Sequence, residues 1–459
     1  MLEVYTKLIV SSILSILLLK YTVKVAPRFY TVRFISGYYS FQFIAVLVYL
    51  LIDYDAKIWT GSYKGLYLKN YVDEGIKGYF IFQIGALIAC AIGKLIFPYM
   101  SRRSSLTDLI KSNSTTLQFP LFFTALVLLS YPFLSSVPGL GYANAILFNF
   151  LNFIPFVAGV LFFKDKKLRL FWLVALSVLF VMGILTGGRG TAMTCASLYA
   201  IGFFYSLESV KARRIALIVG IVVMIPLMSF LSFVGMYRHI VGRAKFTELN
   251  WGRVVRMYDK YQKIKDSKVL NLDSEEGRLN GWGRFINYVN FTQFATIPYK
   301  KDHLGFKDLI EVDLRYSFDV SFLSGTTQDD RIRARFGNYR LNEYGYLCNK
   351  STSVEYSIVT ESYIRFGFLG IFIFSIAIVL FAQCIEFLTI IMGSGTPSIQ
   401  IFATVMLSQQ ALLGYAYNLF VIMRNMLVCV FIAFVLITIL LAIKKIISFS
   451  KYNLESNAG

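Results

Sequence analysis

Apolar stretches of about 20 residues follow one another along most of the chain, separated by short polar connections. A helix of that length crosses the hydrocarbon core of a bilayer, which is about 30 Å thick. We count eleven candidate spans, within a range of ten to twelve, because only a Pro138-Gly139 turn divides the fourth from the fifth. The spans cover residues 5–25, 34–52, 76–98, 119–136, 140–163, 168–186, 190–207, 214–236, 362–386, 399–418 and 421–443. The pattern predicts an all-α fold, a polytopic bundle of transmembrane helices.

One segment, residues 237–352, has no apolar run long enough to span a membrane. It holds 20 Lys and Arg against 14 Asp and Glu. Structureless connections beyond about 15 residues are usually functional or disordered, and the aromatic residues of this one argue against disorder. We therefore expect eight spans in 1–236, an ordered external cap in 237–352, and three spans with a short tail in 353–459.

Basic residues occupy every second connection between the spans. They follow the first, third, fifth and seventh spans and close the chain: Lys20, Lys24, Arg28, Arg33, Lys94, Arg102, Arg103, Lys111, Lys164, Lys166, Lys167, Arg169, Lys211, Arg213, Arg214, Lys444, Lys445 and Lys451. The positive-inside rule assigns such connections to the cytoplasm. The C-terminus is then cytoplasmic, while the N-terminus, the turn at 187–190 and the 237–352 segment face outside.

Composition agrees with this prediction and excludes other classes. Hydrophobic residues make up 56% of the chain and charged residues 16%, where soluble domains carry about 25% charged residues. The net charge of +20 does not indicate nucleic-acid binding, because the basic residues form short clusters between apolar segments. Four of the five cysteines lie in apolar segments, so neither a disulfide framework nor a zinc site is expected. We expect no metal and no cofactor.

The familiar catalytic signatures are missing: the chain has no P-loop, no HExxH and no GxSxG, and it contains only two histidines. A reactive site must therefore be built mainly from Arg, Lys, Glu, Asp and Tyr. That selection favours an anionic ligand held by guanidinium groups.

The first candidate is the turn Gly187-Gly188-Arg189-Gly190, directly before the seventh span. Glycines leave backbone amides accessible, and a helix N-terminus attracts anions. With the Arg189 charge, the turn is a candidate seat for a diphosphate. The alternative is a tight turn whose arginine reaches lipid headgroups.

The second candidate follows the eighth span on the same outer side, where Arg238, His239 and Arg243 occur within six residues. Two arginines and a histidine suit an anion and an acid–base group near neutral pH. The alternative, equally well supported, is that these three residues form a basic helix end that binds lipid headgroups. Arg340 closes a third cluster, Arg331, Arg333 and Arg335, which Asp329, Asp330 and Glu343 can neutralise in a surface network.

The fourth candidate lies at the outer mouth of the ninth span, where Glu361 and Arg365 are one helical turn apart. The two residues can form a salt bridge with a purely structural role. Ionisable residues within or near the membrane are also candidates for a functional site. Arg424, in the outer turn that begins at Tyr417, joins this surface. Aromatic side chains that can stack on sugar rings or pack within the external cap are Trp251, Trp282, Tyr339, Tyr344, Tyr346 and, beside Glu361, Tyr363.

Three stretches, taken in order, resemble the Wzy-type oligosaccharide repeat-unit polymerases of bacterial inner membranes. They are "LTGGRGTAMT", the external segment beginning "MYRHIVGR", and the late "ESYIRFGFLGIFIF". Members have ten to fourteen spans, a small Gly-Arg-Gly-type external turn and a late E-x-Y-x-x-F-G-x-x-G. The arrangement covers about residues 30–445, whereas well-spaced Arg-x10-Gly repeats, found in some members, are missing here.

The resemblance implies a GT-C-like fold in the bacterial inner membrane and transfer of a growing glycan from a polyprenyl diphosphate to a lipid-linked repeat unit. The implied partners are polyprenyl-diphosphate-linked oligosaccharides, the lipid bilayer and a chain-length regulator. Candidate diphosphate ligands are Gly187, Gly188, Arg189, Gly190, Arg238, Arg243, Arg340, Arg365 and Arg424; candidate bases are Glu361 and His239; candidate glycan contacts are Trp282, Tyr339 and Tyr363.

Three other functions remain open, one of which, a structural or sensor membrane protein, would need no anion site. An O-antigen ligase uses the same donor and passes the glycan to a lipid A core. A flippase or other transporter of lipid-linked oligosaccharide belongs to a different class, and transporters place polar sites near the bilayer midplane. The candidate residues here collect at the outer face, which favours an interfacial enzyme.

Overall fold

The computed structural model describes residues 1–26, 29–52, 54–55, 57–58, 66–98, 108–110, 153–162, 170, 173–174, 177, 189–207, 209, 211–216, 218–220, 255, 358–392, 400–401, 403–407 and 419–456. This part of the chain is almost entirely helical. Its main helices are α1 (Leu2–Val25), α2 (Tyr30–Ile52), α3 (Val72–Ile96), α4 (Phe153–Leu161), α5 (Arg189–Ser206), α6 (Ile358–Met392) and α7 (Leu419–Ser456).

Four helices are long and apolar enough to cross a membrane within the residues described: Leu2–Val25, Tyr30–Leu51, Leu68–Ile96 and Ile358–Met392. They coincide with the predicted first, second, third and ninth spans, so helices able to cross a membrane by length and composition are confirmed there. A shorter apolar stretch, Ile422–Phe431, lies within α7. The total of eleven spans stays a prediction, as does the GT-C-like fold.

A small element between α2 and α3 was not predicted. Lys57–Ile58 (β1) and Leu66–Tyr67 (β2) pair antiparallel, and a 3-10 helix, Leu68–Tyr71, leads from β2 into α3. Beside this hairpin Lys69 is ion-paired with Asp55 and lies over the ring of Tyr54. The predicted all-α fold therefore carries one two-stranded hairpin in the described residues.

Helices α1, α2 and α3 form one bundle with a polar contact at mid-length. The Tyr5 hydroxyl donates to the Leu50 carbonyl at 2.6 Å, so α1 and α2 run antiparallel. The Gln83 amide donates to the hydroxyls of Ser15 at 2.6 Å and Ser40 at 2.9 Å, which joins all three helices. Interhelical hydrogen bonds of this kind hold helices together where lipid removes the hydrophobic driving force.

Helix α6 packs along α3 by means of small residues. A Cβ at Gly85 would overlap the Ser375 hydroxyl, and one at Gly93 would overlap the Gln383 side-chain amide. Ala89, between the two glycines, is buried. Because Gly85 meets Ser375 and Gly93 meets Gln383, the two helices run in the same direction. Small residues four apart permit such close backbone approach between membrane helices.

The bundle has two chemically different ends. At the Glu386 end, which contains the last turns of α1, α3 and α6, the ring of Phe97 contacts those of Phe29 at 6.1 Å and Phe387 at 4.7 Å. Tyr205, in the last turn of α5, interacts electrostatically with Tyr30 and Arg33 and belongs to the same end. The Glu361 end contains the first turns of α1, α3, α6 and α7.

The relative directions of these helices agree with the predicted order of spans, in which successive spans cross the membrane in opposite directions. Lys7 pairs with Asp73 at 3.0 Å, so α1 and α3 begin together, as odd-numbered spans should. The structure gives directions within the bundle, whereas the side of the membrane that each end faces remains a prediction. The proposed external cap, 237–352, lies outside the described residues apart from Val255.

Candidate functional site

Helix α6 is broken near its start, within the stretch that carries the late motif. Gly367 has φ 62° and ψ −150°, a non-helical conformation inside Ile358–Met392. Backbone at positive φ with ψ near ±150° is essentially restricted to glycine. A first segment, 358–366, is thereby set off from the long remainder of the helix. We call it the entry segment.

A second glycine lets the entry segment lie close against the rest of α6. A Cβ at Gly370 would overlap the Ser362 carbonyl oxygen, although eight residues separate the two positions. In a continuous helix eight residues span about 12 Å, so this contact exists because of the break. The aromatic rings of Tyr363 and Phe368 meet across it, with centroids 5.2 Å apart. Both glycines of the motif therefore have a defined backbone role.

Glu361 lies in the entry segment and joins it to another helix. Its side chain is buried, and Oε2 accepts a hydrogen bond from the Leu419 backbone N–H at 3.0 Å. Leu419 is the first residue of α7. The first N–H groups of a helix have no partner within that helix, and the positive end of the helix dipole favours a carboxylate there. Glu361 thus caps a helix that begins 58 residues later.

Arg365, one turn along, supplies a charge partner on the other carboxylate oxygen. Its Nε lies 3.4 Å from Glu361 Oε1, with both side chains buried. At this separation the interaction is an ion pair rather than a well-directed hydrogen bond. The predicted Glu361–Arg365 contact therefore exists. A buried pair of this kind is costly to break, because removing one partner leaves an uncompensated charge.

Arg424 is not in an outer turn, as its position in the sequence had suggested. Helix α7 already begins at Leu419, so Arg424 lies in its second turn. Its side chain is half-buried and donates from Nε and Nη2 to the Asn425 side-chain oxygen, at 3.3 and 3.1 Å. Tyr363, predicted to contact glycan, is half-buried and packs against the buried apolar residues of the bundle.

Arg189 and Gly190, which the sequence placed in a turn, begin helix α5. The helix lies where the seventh span was expected, and its crossing of a membrane stays a prediction. The structure describes the backbone of these two residues. Eight predicted site residues lie outside the described part of the chain: Gly187, Gly188, Arg238, His239, Arg243, Trp282, Tyr339 and Arg340.

Sequence reasoning missed three participants in this site. Gly367 and Gly370 are part of the late motif, but no structural role was predicted for them. Two glycines three residues apart in an apolar run are themselves a signal of a helix break or of close backbone approach. The backbone of Leu419 carries no sequence signal. Within the described residues, no group of three or more His, Cys, Asp or Glu is placed to hold a metal ion.

Compared with known proteins, the chain matches no protein-family model, no curated protein and no solved structure. The geometry and chemistry of its own residues therefore carry the functional argument.

Proposed function

We propose that this chain is a membrane glycosyltransferase that polymerises oligosaccharide repeat units of a bacterial surface polysaccharide. It moves the growing glycan from a polyprenyl diphosphate to a lipid-linked repeat unit at the outer face of the inner membrane. The observation that supports this most is the Glu361 end of the bundle. There a broken helix holds a buried Glu361–Arg365 pair beside the start of α7.

The reaction needs positive charge at the leaving group. The acceptor hydroxyl oxygen attacks the anomeric carbon of the donor glycan, and the bond from that carbon to the diphosphate oxygen breaks. The bonding electrons leave with the polyprenyl diphosphate, so negative charge grows on it in the transition state. Guanidinium groups stabilise such charge, and we assign this role to Arg189, Arg238 and Arg243. A metal ion is not required for that role.

The reaction also needs a base for the proton of the acceptor hydroxyl. A base must come within hydrogen-bond reach of that proton. Glu361 and His239 are the candidates; one oxygen of the Glu361 carboxylate accepts a hydrogen bond from Leu419, and the other faces Arg365.

The distribution of charge in the described helices supports an enzyme at the membrane surface rather than a transporter. Glu361, Arg365 and Glu386 are buried near the ends of α6, whereas the mid-length contact among Ser15, Ser40 and Gln83 is uncharged. An O-antigen ligase uses the same donor and differs only in its acceptor. Single repeat units joined to lipid A core in the absence of polymer would identify the ligase.

Arg189→Ala tests the proposed function. In cells that make the natural glycan, the variant should insert normally yet produce no long polymer, with single repeat units accumulating on carrier lipid. The loss of transition-state stabilisation should be of the order of 100-fold or more. Polymer length on gels and mass spectrometry of the carrier lipids measure both effects.

Arg213→Ala is the matched control, because Arg213 lies near the Glu386 end and its Nε donates to the Leu207 carbonyl. It should leave polymer length unchanged. Normal polymer in Arg189→Ala cells would exclude the diphosphate role.

A further inference from the structure

We infer that Glu361 is a positioning residue for this reaction rather than its base, a conclusion that rests on the proposed function. Its carboxylate ties the entry segment of α6 to the start of α7 and so sets where Arg365 and Arg424 stand at the reactive end of the bundle. The contacts that support this are its hydrogen bond to Leu419, its ion pair with Arg365 and the backbone break at Gly367.

One carboxylate oxygen accepts a hydrogen bond and the other faces a guanidinium group. Oε2 accepts the Leu419 N–H at 3.0 Å, and Oε1 faces Arg365 Nε at 3.4 Å. The residue is 1% exposed. A general base has to meet the acceptor hydroxyl directly or through one water molecule. Burial and these two contacts leave Glu361 little access to such a hydroxyl, whereas they join two structural elements.

The break at Gly367 explains why such a tie is needed. A continuous helix would hold the entry segment through its own backbone hydrogen bonds, but the Gly367 conformation interrupts that ladder. The entry segment then depends on side-chain contacts for its orientation. Glu361 makes one such contact with the start of α7 and a second with Arg365 in the entry segment itself. Arg424, five residues after Leu419, moves with the start of α7.

Glu386 offers an internal reference on the same helix. Its two oxygens accept the backbone N–H groups of Tyr30, at 3.0 Å, and Thr31, at 3.1 Å. These residues begin α2. The helix α6 therefore caps two other helices, one near each of its ends, and each cap can be removed separately.

The test compares Glu361→Ala with Glu361→Gln in the full-length chain. Glutamine keeps an oxygen that can accept the Leu419 N–H, whereas alanine does not. Amide hydrogen exchange of the detergent-purified protein should be about tenfold faster at residues 419–422 in the Ala variant, as expected for loss of a helix N-cap, and nearly unchanged in the Gln variant. Glu386→Ala, the matched control, should accelerate exchange at Tyr30 and Thr31 and leave residues 419–422 unaffected.

Polymer formation in cells is the second readout. Glu361→Gln should lower polymer yield by no more than about tenfold, and Glu361→Ala should lower it much further. Loss of a general base costs about 100- to 10,000-fold in either variant. A Gln variant that keeps protected amides yet makes no polymer would show that Glu361 is the base and overturn the inference.

Two further outcomes are decisive. Unchanged exchange at residues 419–422 in Glu361→Ala would overturn the positioning role whatever the glycan chemistry. If Glu361→Gln does not fold because the Glu361–Arg365 ion pair is lost, the double variant Glu361→Gln/Arg365→Gln replaces both partners and should restore protection; continued rapid exchange would overturn the inference. Exchange involves no glycan transfer, so a failure of the proposed function shows only in the Arg189→Ala experiment.

Discussion

The two buried carboxylates of α6 perform the same local task in different surroundings. Glu386 is 0% exposed and Glu361 is 1% exposed, and each accepts hydrogen bonds from the first residues of another helix. Glu386 lies in regular helix and accepts from two backbone amides. Glu361 lies beside a glycine-only break and divides its carboxylate between one amide and a guanidinium group.

The two ends differ in backbone geometry and in how buried charge is neutralised. The Glu386 end combines good hydrogen-bond geometry with aromatic packing, as expected of a contact that only holds helices together. The Glu361 end keeps a buried charge pair at 3.4 Å and, six residues after the carboxylate, a helix break in a conformation that favours glycine. Three substitutions test this contrast, beginning with the largest expected effect.

Arg365→Ala should damage the Glu361 end most. It leaves the Glu361 carboxylate buried without its cation, which costs about 3–5 kcal/mol in comparable buried pairs. Thermal unfolding of the purified protein measures the loss. Lys7→Ala is the control, because Lys7 forms exposed ion pairs with Glu3 and Asp73 and should produce no measurable change. Equal stability of the two variants would remove the distinction between buried and exposed pairs.

Gly367→Ala should have the next largest effect. The alanine side chain is strained at φ 62°, and a residue forced into such a region costs up to about 3 kcal/mol. We expect a lower unfolding temperature together with loss of long polymer. Gly37→Ala in α2 is the matched control, since a Cβ there meets no atom within 4 Å. A fully active, fully stable Gly367→Ala protein would show that the break has no role.

Glu386→Gln should have the smallest effect of the three substitutions, and it tests whether the Glu386 end has only a structural role. Glutamine offers one acceptor oxygen for the N–H groups of Tyr30 and Thr31, so one of them loses its partner at a cost of about 1–2 kcal/mol. Polymer length should stay normal, because the Glu386 end only supports the bundle. Lost polymer at retained stability would show that both ends take part in the reaction.

Much of the described fold follows from the apolar pattern. The first, second, third and ninth spans are where the runs predict them, and the Glu361–Arg365 contact follows from residues one helical turn apart. The observed ends of the helices differ from the predicted ends because contacts with residues distant in the sequence determine where each helix begins and ends. Helix α2 starts at Tyr30 rather than at 34, and α6 reaches Met392 rather than 386. Glu386, 356 residues away from Tyr30 in the sequence, caps that start.

The candidate site was harder to predict than the spans for the same physical reason. Leu419 enters through its backbone N–H, which every residue except proline has, so no side-chain pattern marks it. The break at Gly367 brings Ser362 close to Gly370, a contact that exists only in the folded chain. Arg424 was assigned to a turn because the start of α7 is set by the Glu361 cap.

The small-residue seam between α3 and α6 has a consequence for how the protein is made. Helix α3 ends at Ile96 and α6 begins at Ile358, so a ribosome working at 5–20 residues per second needs roughly 15–50 s between them. During that interval the groove at Gly85 and Gly93 lacks α6, and the start of α2 lacks Glu386. The seam between α3 and α6 therefore forms only after residue 358 has been made, and a nascent chain released before that point should be recognised by membrane quality control.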